Sequence, residues 1–119
     1  MFENFDYSQF KNMPPPKDGS LKSLSEIKDL QNIPMDKGFV KKRDDIYGSF
    51  KELADKKNIT LDKKEINNLS DGSASVILKL KKYYNRPRPK EQAKQYGLQL
   101  ENIELSSMKT PSYPSGHSA

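Results

Sequence analysis

The chain has 119 residues, of which 33% are hydrophobic and 31% are charged, and its mean hydropathy is −0.95. This length suits one domain with a modest core, and the apolar share is below that of an ordinary globular domain. The 21 Lys and Arg against 16 Asp and Glu give a net charge of +5, which favours an anionic partner. Cysteine is absent, which excludes disulfides, and no stretch approaches the roughly 20 apolar residues of a membrane span.

Residues 1–22 are expected to form an irregular lead-in, because scattered aromatic residues are followed by three consecutive prolines at 14–16. A proline run favours an extended polyproline segment. The first residues are acidic and lack both the basic and the apolar regions of a secretory signal, which favours the cytoplasm over the periplasm.

The following segments have the apolar spacing of helices. Ser23 with Glu26 forms a capping box, and Pro34 ends that helix. One continuous helix is predicted over residues 36–54, where apolar residues fall on one side and charged residues on the other. Asp62 with Glu65 resembles a capping box and predicts the start of a third helix.

The next predicted element is a break at residues 70–73, whose sequence is Ser-Asp-Gly-Ser, before the densest apolar run at 74–84. That run should end at residues 85–89, because each proline disfavours helical geometry in the residue before it. A short helix around 91–96 should end at Gly97, a plausible C-terminal cap. Alternation typical of strands is missing, so the predicted fold class is all-α.

A basic segment follows the apolar run and contains Lys79, Lys81, Lys82, Arg86 and Arg88. Residues seven apart return to nearly the same helix face, about 20° off. Lys79 with Arg86 has this spacing, and so does Lys81 with Arg88, so either pair could bind one anion. The alternative interpretation is a solvated helix end whose positive charge complements the helix dipole.

The tetrapeptide Pro-Ser-Gly-His at 114–117 has the residue types of a phosphate site, and it contains the single histidine of the chain. A helix beginning here would present free backbone N–H groups to an anion. The Ser115 hydroxyl and the Gly116 amide would bind phosphate oxygens, and His117 would act as a general acid. The alternative is an ordinary turn with a surface histidine.

Together the two segments resemble the first two signature motifs of the type 2 phosphatidic acid phosphatase superfamily. The first motif is Lys-x6-Arg-Pro and the second is Pro-Ser-Gly-His. Residues 83–89 are similar to the Tyr-x-Arg-x-Arg-Pro version in the bacterial class A nonspecific acid phosphatases, as are residues 110–113, Thr-Pro-Ser-Tyr. The superfamily also includes lipid phosphatases and vanadium haloperoxidases.

This resemblance implies a helical bundle that binds phosphate without a metal or another cofactor. It assigns phosphate binding to Lys81, Arg88, Ser115 and Gly116. It gives His117 the role of the acid that protonates the leaving group. The substrate implied is a phosphate monoester, and no nucleic-acid partner is expected.

The third motif of the superfamily, Ser-Arg-x5-His-x3-Asp, is absent from the chain. That motif supplies the nucleophilic histidine, so residues 23–119 are expected to be the N-terminal part of one helical phosphatase domain whose last helices are missing. As given, the fragment should be inactive. Lys79 and Arg86 remain the alternative phosphate-binding pair.

Three functions are therefore open. The first is the N-terminal fragment of a phosphomonoesterase that works through a phosphohistidine intermediate. The second is a basic helical module that binds nucleic acid or anionic surfaces through residues 79–88. The third is a vanadate-dependent haloperoxidase relative, because those enzymes are similar in the pocket residues.

Overall fold

The computed structural model describes residues 2–118, which form α-helices and one 3₁₀ turn with no β-strand among them. The all-α class predicted from the sequence is confirmed. Within the same residues, no helix combines the length and the hydrophobicity that crossing a bilayer requires. The elements are α1 Ser8–Lys11, α2 Leu21–Gln31, α3 Lys37–Asp44, α4 Ile46–Lys56, α5 Lys63–Tyr84, α6 Pro89–Gln95 and the 3₁₀ turn Ser106–Lys109.

Helix α2 begins earlier than predicted, and the lead-in before it is not wholly irregular because it contains α1. The N-cap of α2 is Ser20, whose hydroxyl accepts a hydrogen bond from the Ser23 N–H at 3.2 Å. Ser23 itself is fully buried, and its hydroxyl donates to Gln92 Oε1 at 2.7 Å. The capping-box prediction at Ser23 was wrong because this serine side chain is used for packing between helices.

The single helix predicted over 36–54 is two helices in the structure, α3 and α4, which pack against each other. Asp45 separates them in an extended conformation, with φ −81° and ψ 94°, and its carboxylate accepts from the Gly48 N–H at 2.9 Å. A Cβ on Gly48 would clash with that carboxylate. Aspartate is a strong N-cap residue, so this local bond outweighs the helical periodicity that runs through it.

Helix α5 is continuous through residues 70–73, so the predicted break there was wrong. A Cβ at Gly72 would lie 2.9 Å from the Phe2 ring, so glycine serves close packing at this position. The predicted start is confirmed, because the Asp62 carboxylate caps the helix at the Lys64 and Glu65 amides. The helix ends at Tyr84, before Asn85 in a left-handed conformation at φ +47°, as the following prolines predicted.

The buried apolar side chains come from α2, α4, α5 and α6. Helices α2 and α6 are in contact through the bond between Ser23 and Gln92. Gln92 also donates from Nε2 to the Pro87 carbonyl at 2.8 Å, which fixes the connection between α5 and α6. Gly97 follows α6 at φ +67°, consistent with the cap that the sequence predicted. The buried apolar residues are Ile27, Ala54, Val76, Ile77, Leu80 and Ala93.

Candidate functional site

A cavity of about 530 Å³ lies between α3, α5 and the segment that follows the 3₁₀ turn. Apolar side chains of α3 and α5 form much of its wall, and the charged residues that line it include Arg43, Asp44, Lys81 and Arg88. All five residues assigned to the site from the sequence line this one cavity. They are Lys81, Arg88, Ser115, Gly116 and His117.

Lys81 lies in the last turn of α5 and is 6% exposed. Its ammonium donates to the Pro111 carbonyl at 2.5 Å, which leaves two further N–H donors on the same nitrogen. Burial lowers the pKa of Lys81, and the positive charge of Arg88 lowers it further. An anion placed between these two cations would offset both effects.

Arg88 is the residue immediately before α6. Its guanidinium donates from Nε to the Thr110 carbonyl at 2.7 Å and from Nη2 to the Ser107 carbonyl at 3.2 Å. Burial lowers the pKa of Arg88, and the carboxylate of Glu91 partly offsets this. Nη1 makes no hydrogen bond within residues 2–118, so the guanidinium keeps donors for a ligand.

The tetrapeptide is brought to the cavity by hydrogen bonds of the residue two positions before it. Ser112 donates from its amide to the Arg86 carbonyl at 2.9 Å and from its hydroxyl to the Pro87 carbonyl at 2.8 Å. The chain then passes close to α5, where a Cβ on Gly116 would lie 3.9 Å from Ile77 Cγ2. Hydrogen bonds to main-chain carbonyls therefore connect the two motifs without a ligand.

The conformation of the tetrapeptide differs from the prediction. Residues 115–118 form a bend and a turn, and no helix begins among them. Starting a helix is unfavourable, because its first turn restricts several residues and gains only one hydrogen bond. Residues 115–118 make no such backbone hydrogen bond. Ser115, Gly116 and His117 are exposed residues of the cavity lining.

His117 has a partner that sequence reasoning missed. Its Nε2 lies 3.3 Å from Oδ1 of Asp44, the last residue of α3. The Ser107 hydroxyl donates to the same oxygen at 2.7 Å. No signal in the sequence links these residues, because Asp44 belongs to neither motif and lies far from His117 along the chain.

The alternative pair is directed away from the cavity. Lys79 Nζ lies 5.3 Å from the centroid of the Tyr7 ring, and Arg86 Nη2 lies 2.7 Å from Glu26 Oε2. Neither residue lines the cavity. For the lysines the reason is helical geometry, because residues two apart on α5, such as Lys79 and Lys81, do not share a face. Both arginines lie beyond the end of α5.

The same arrangement bears on the basic-module alternative. Lys81 is buried, Arg86 is paired with Glu26, and Arg88 is bonded to carbonyls. The basic side chains of residues 79–88 therefore have different surroundings and do not form one exposed cationic face.

Comparison of the chain with models of known protein families, with curated proteins and with solved structures gave no match.

Proposed function

We propose that this chain provides the phosphate-binding part of a phosphomonoesterase of the type 2 phosphatidic acid phosphatase kind. The proposal rests on the two sequence motifs and on where their side chains lie. The chain is all-helical, and the proposed site is formed by α5, by the residue before α6 and by the turn near the end of the chain.

One observation carries the proposal. Lys81 and Arg88 line the same cavity as residues 115–117, although these two groups are distant in the sequence. The equally spaced pair Lys79 and Arg86 does not reach that cavity. Spacing alone cannot distinguish the two pairs, so the selection made by the fold is independent support for the pair that the resemblance favours.

The chemistry follows from the residue types. The Lys81 ammonium and the Arg88 guanidinium would offset the charge of a phosphoryl group, and the Arg fork suits two of its oxygens. The Ser115 hydroxyl and the Gly116 amide would donate to a third oxygen. Donors placed where negative charge develops usually give the largest catalytic contribution. His117 would give a proton to the ester oxygen as the P–O bond breaks.

A phosphohistidine mechanism needs a second histidine as the nucleophile, and His117 is the only histidine in the 119 residues. In the proposed reaction the nucleophile's nitrogen forms a bond to phosphorus while the ester oxygen leaves, and water later hydrolyses the N–P bond. We therefore expect this chain by itself to bind phosphate without hydrolysing a phosphate ester. Hydrolysis of p-nitrophenyl phosphate by this chain would contradict the proposal that it binds phosphate and lacks the nucleophile.

The direct test is calorimetric titration of the chain with orthophosphate, using two variants of α5 that remove the same charge. Lys81→Gln should weaken binding about tenfold or more, because a hydrogen bond to a charged group contributes roughly 1.5–3 kcal/mol. Lys79→Gln is the matched control, and it should leave the affinity within about twofold because its ammonium lies against Tyr7. Far-UV circular dichroism of both variants checks that α5 is intact.

Equal effects of the two substitutions would show that phosphate responds only to overall charge, and the proposed site would be wrong. Oligonucleotide binding that falls steeply with salt, and that both lysine variants weaken equally, would instead support the basic-module alternative.

A further inference from the structure

We infer that Asp44 is a positioning residue for His117, and that it holds Nε2 of the imidazole so that Nδ1 is the nitrogen left for a bound phosphate. The identity of that ligand rests on the proposed function, whereas the contact between the two side chains does not. Neither motif contains Asp44, and its role follows from the tertiary structure alone.

The carboxylate of Asp44 is fixed from two directions. Its Oδ1 lies 3.3 Å from His117 Nε2 and accepts a hydrogen bond from the Ser107 hydroxyl at 2.7 Å. Ser107 is itself held, because its carbonyl accepts from Arg88 Nη2 at 3.2 Å. A continuous series of contacts thus joins Arg88 to His117 through Ser107 and Asp44.

Asp44 differs in charge from the other ionised side chains that line the cavity beside His117. The cations that line the same cavity are Arg43 at the end of α3, Lys81 on α5 and Arg88 before α6. Asp44 is the one acidic residue in the cavity wall within the described part of the chain. Its side chain is 21% exposed, against 50% for His117, so the carboxylate is the better-held member of the pair.

The contact determines which nitrogen can react. A histidine nitrogen that donates to a carboxylate keeps its proton, and this sets the tautomer and the orientation of the ring. Because Nε2 lies 3.3 Å from the Asp44 carboxylate, a proton on Nε2 is favoured by the adjacent negative charge, and the proton for the ester oxygen would leave from Nδ1. The transfer leaves a neutral ring, and Asp44 favours the neutral tautomer that carries its proton on Nε2. The proton moves from Nδ1 to the leaving oxygen, and nothing else is consumed.

Nuclear magnetic resonance of the ¹⁵N-labelled chain can test this contact directly, since the ring signals of the only histidine are unambiguous. Asp44→Asn should move the Nε2 resonance of His117, recorded without phosphate at one pH. Asp45→Asn is the matched control, because it removes the adjacent charge while asparagine can still cap the Gly48 amide. That control should leave the Nε2 resonance in place.

Ser107→Ala is a second variant that does not alter the charge. It removes the hydroxyl that holds the carboxylate, so the Nε2 resonance should move in the same direction as in Asp44→Asn and by less. If Asp44→Asn does not fold, as judged from the backbone amide spectrum, Ser107→Ala decides the question. An Nε2 resonance that is unchanged in the variants that do fold would overturn the inference.

Orthophosphate is then added to the wild-type chain, where it should move the Nδ1 resonance more than the Nε2 resonance. The reverse order would overturn the inference, because Nε2 would then be the nitrogen that meets the phosphate. No response of either ring nitrogen to phosphate would contradict the proposed function, while a sensitivity of Nε2 to Asp44→Asn would still establish the contact. The two failures are therefore distinguishable.

Discussion

Two regions of the molecule differ in how tightly they are packed. Around α2 and α6, Ile27 and Ala93 are nearly inaccessible, and Ser23 and Gln92 share a buried hydrogen bond. Around α3 and α4, large apolar side chains are exposed, with Phe39, Phe50 and Leu53 each more than half accessible. The contact between α2 and α6 is packed like the interior of a domain, whereas α3 and α4 present apolar surface and solvated charges.

This difference divides the candidate site. The connection that carries Arg88 is fixed by Gln92 and by Ser112, and Lys81 is buried, so the two cations proposed to bind phosphate are well held, whereas Ser115 and Gly116 are exposed. His117 instead meets Asp44 at the end of α3, in the less tightly packed region. We expect the cationic part of the site to be preorganised and the histidine to be the more adaptable member.

The largest expected effect comes from comparing one apolar residue from each region, the first buried and the second exposed. Ile27→Ala should lower the free energy of unfolding by about 2–5 kcal/mol, because it removes a side chain that is 2% exposed and leaves a cavity. Leu53→Ala, on the exposed face of α4, should lower it by about 1 kcal/mol or less. Urea unfolding followed by circular dichroism measures both values. Equal losses would contradict this difference in packing between the two regions.

A smaller effect is expected from the buried polar contact between α2 and α6. Ser23→Ala should cost about 1–3 kcal/mol, because Gln92 Oε1 loses its donor in a position without access to water. The control is Ser8→Ala, which removes an exposed hydroxyl that bonds only to Asp6 in its own turn. Thermal unfolding should separate the two variants, and matching midpoints would show that the buried bond contributes little.

The smallest effect concerns the surface charges of the region around α3 and α4. Lys42 and Lys56 lie 2.9 Å and 3.0 Å from the Glu52 carboxylate, and their hydrogen bonds lower its pKa to about 2. A depressed carboxylate pKa stabilises the fold above the pKa of about 4.5 in the unfolded chain. That contribution should be lost as the pH falls from 4.5 towards 2. Glu52→Gln should therefore flatten the decline of thermal stability over this interval.

Glu65→Gln is the matched control for that experiment. Glu65 lies in the first turn of α5, where its side chain has no ion-pair partner within residues 2–118. The slope of melting temperature against pH should remain close to that of the wild-type chain in this variant. If Glu52→Gln also kept the wild-type slope of melting temperature against pH, the ion pairs of Glu52 with Lys42 and Lys56 would not stabilise the fold.

The elements were predictable where a local signal was strong. The cap at Asp62 and the prolines after Asn85 fixed the limits of α5, because these residues act on the adjacent backbone. The prediction failed at Asp45, whose capping bond interrupts an otherwise helical pattern, and at Gly72, whose role depends on Phe2. The latter contact joins distant parts of the chain, so no local rule could reveal it.

By itself the sequence determined the helical class, most of the helix ends and the two groups of residues proposed to bind phosphate. These features depend on spacing and on residue type. Spacing left both pairs open and the resemblance favoured Lys81 with Arg88, but only the tertiary structure shows which pair lines the cavity, because the side of α5 that meets the final turn is set by packing. It alone also placed Asp44 beside His117, since that contact forms only when α3 is folded against the end of the chain.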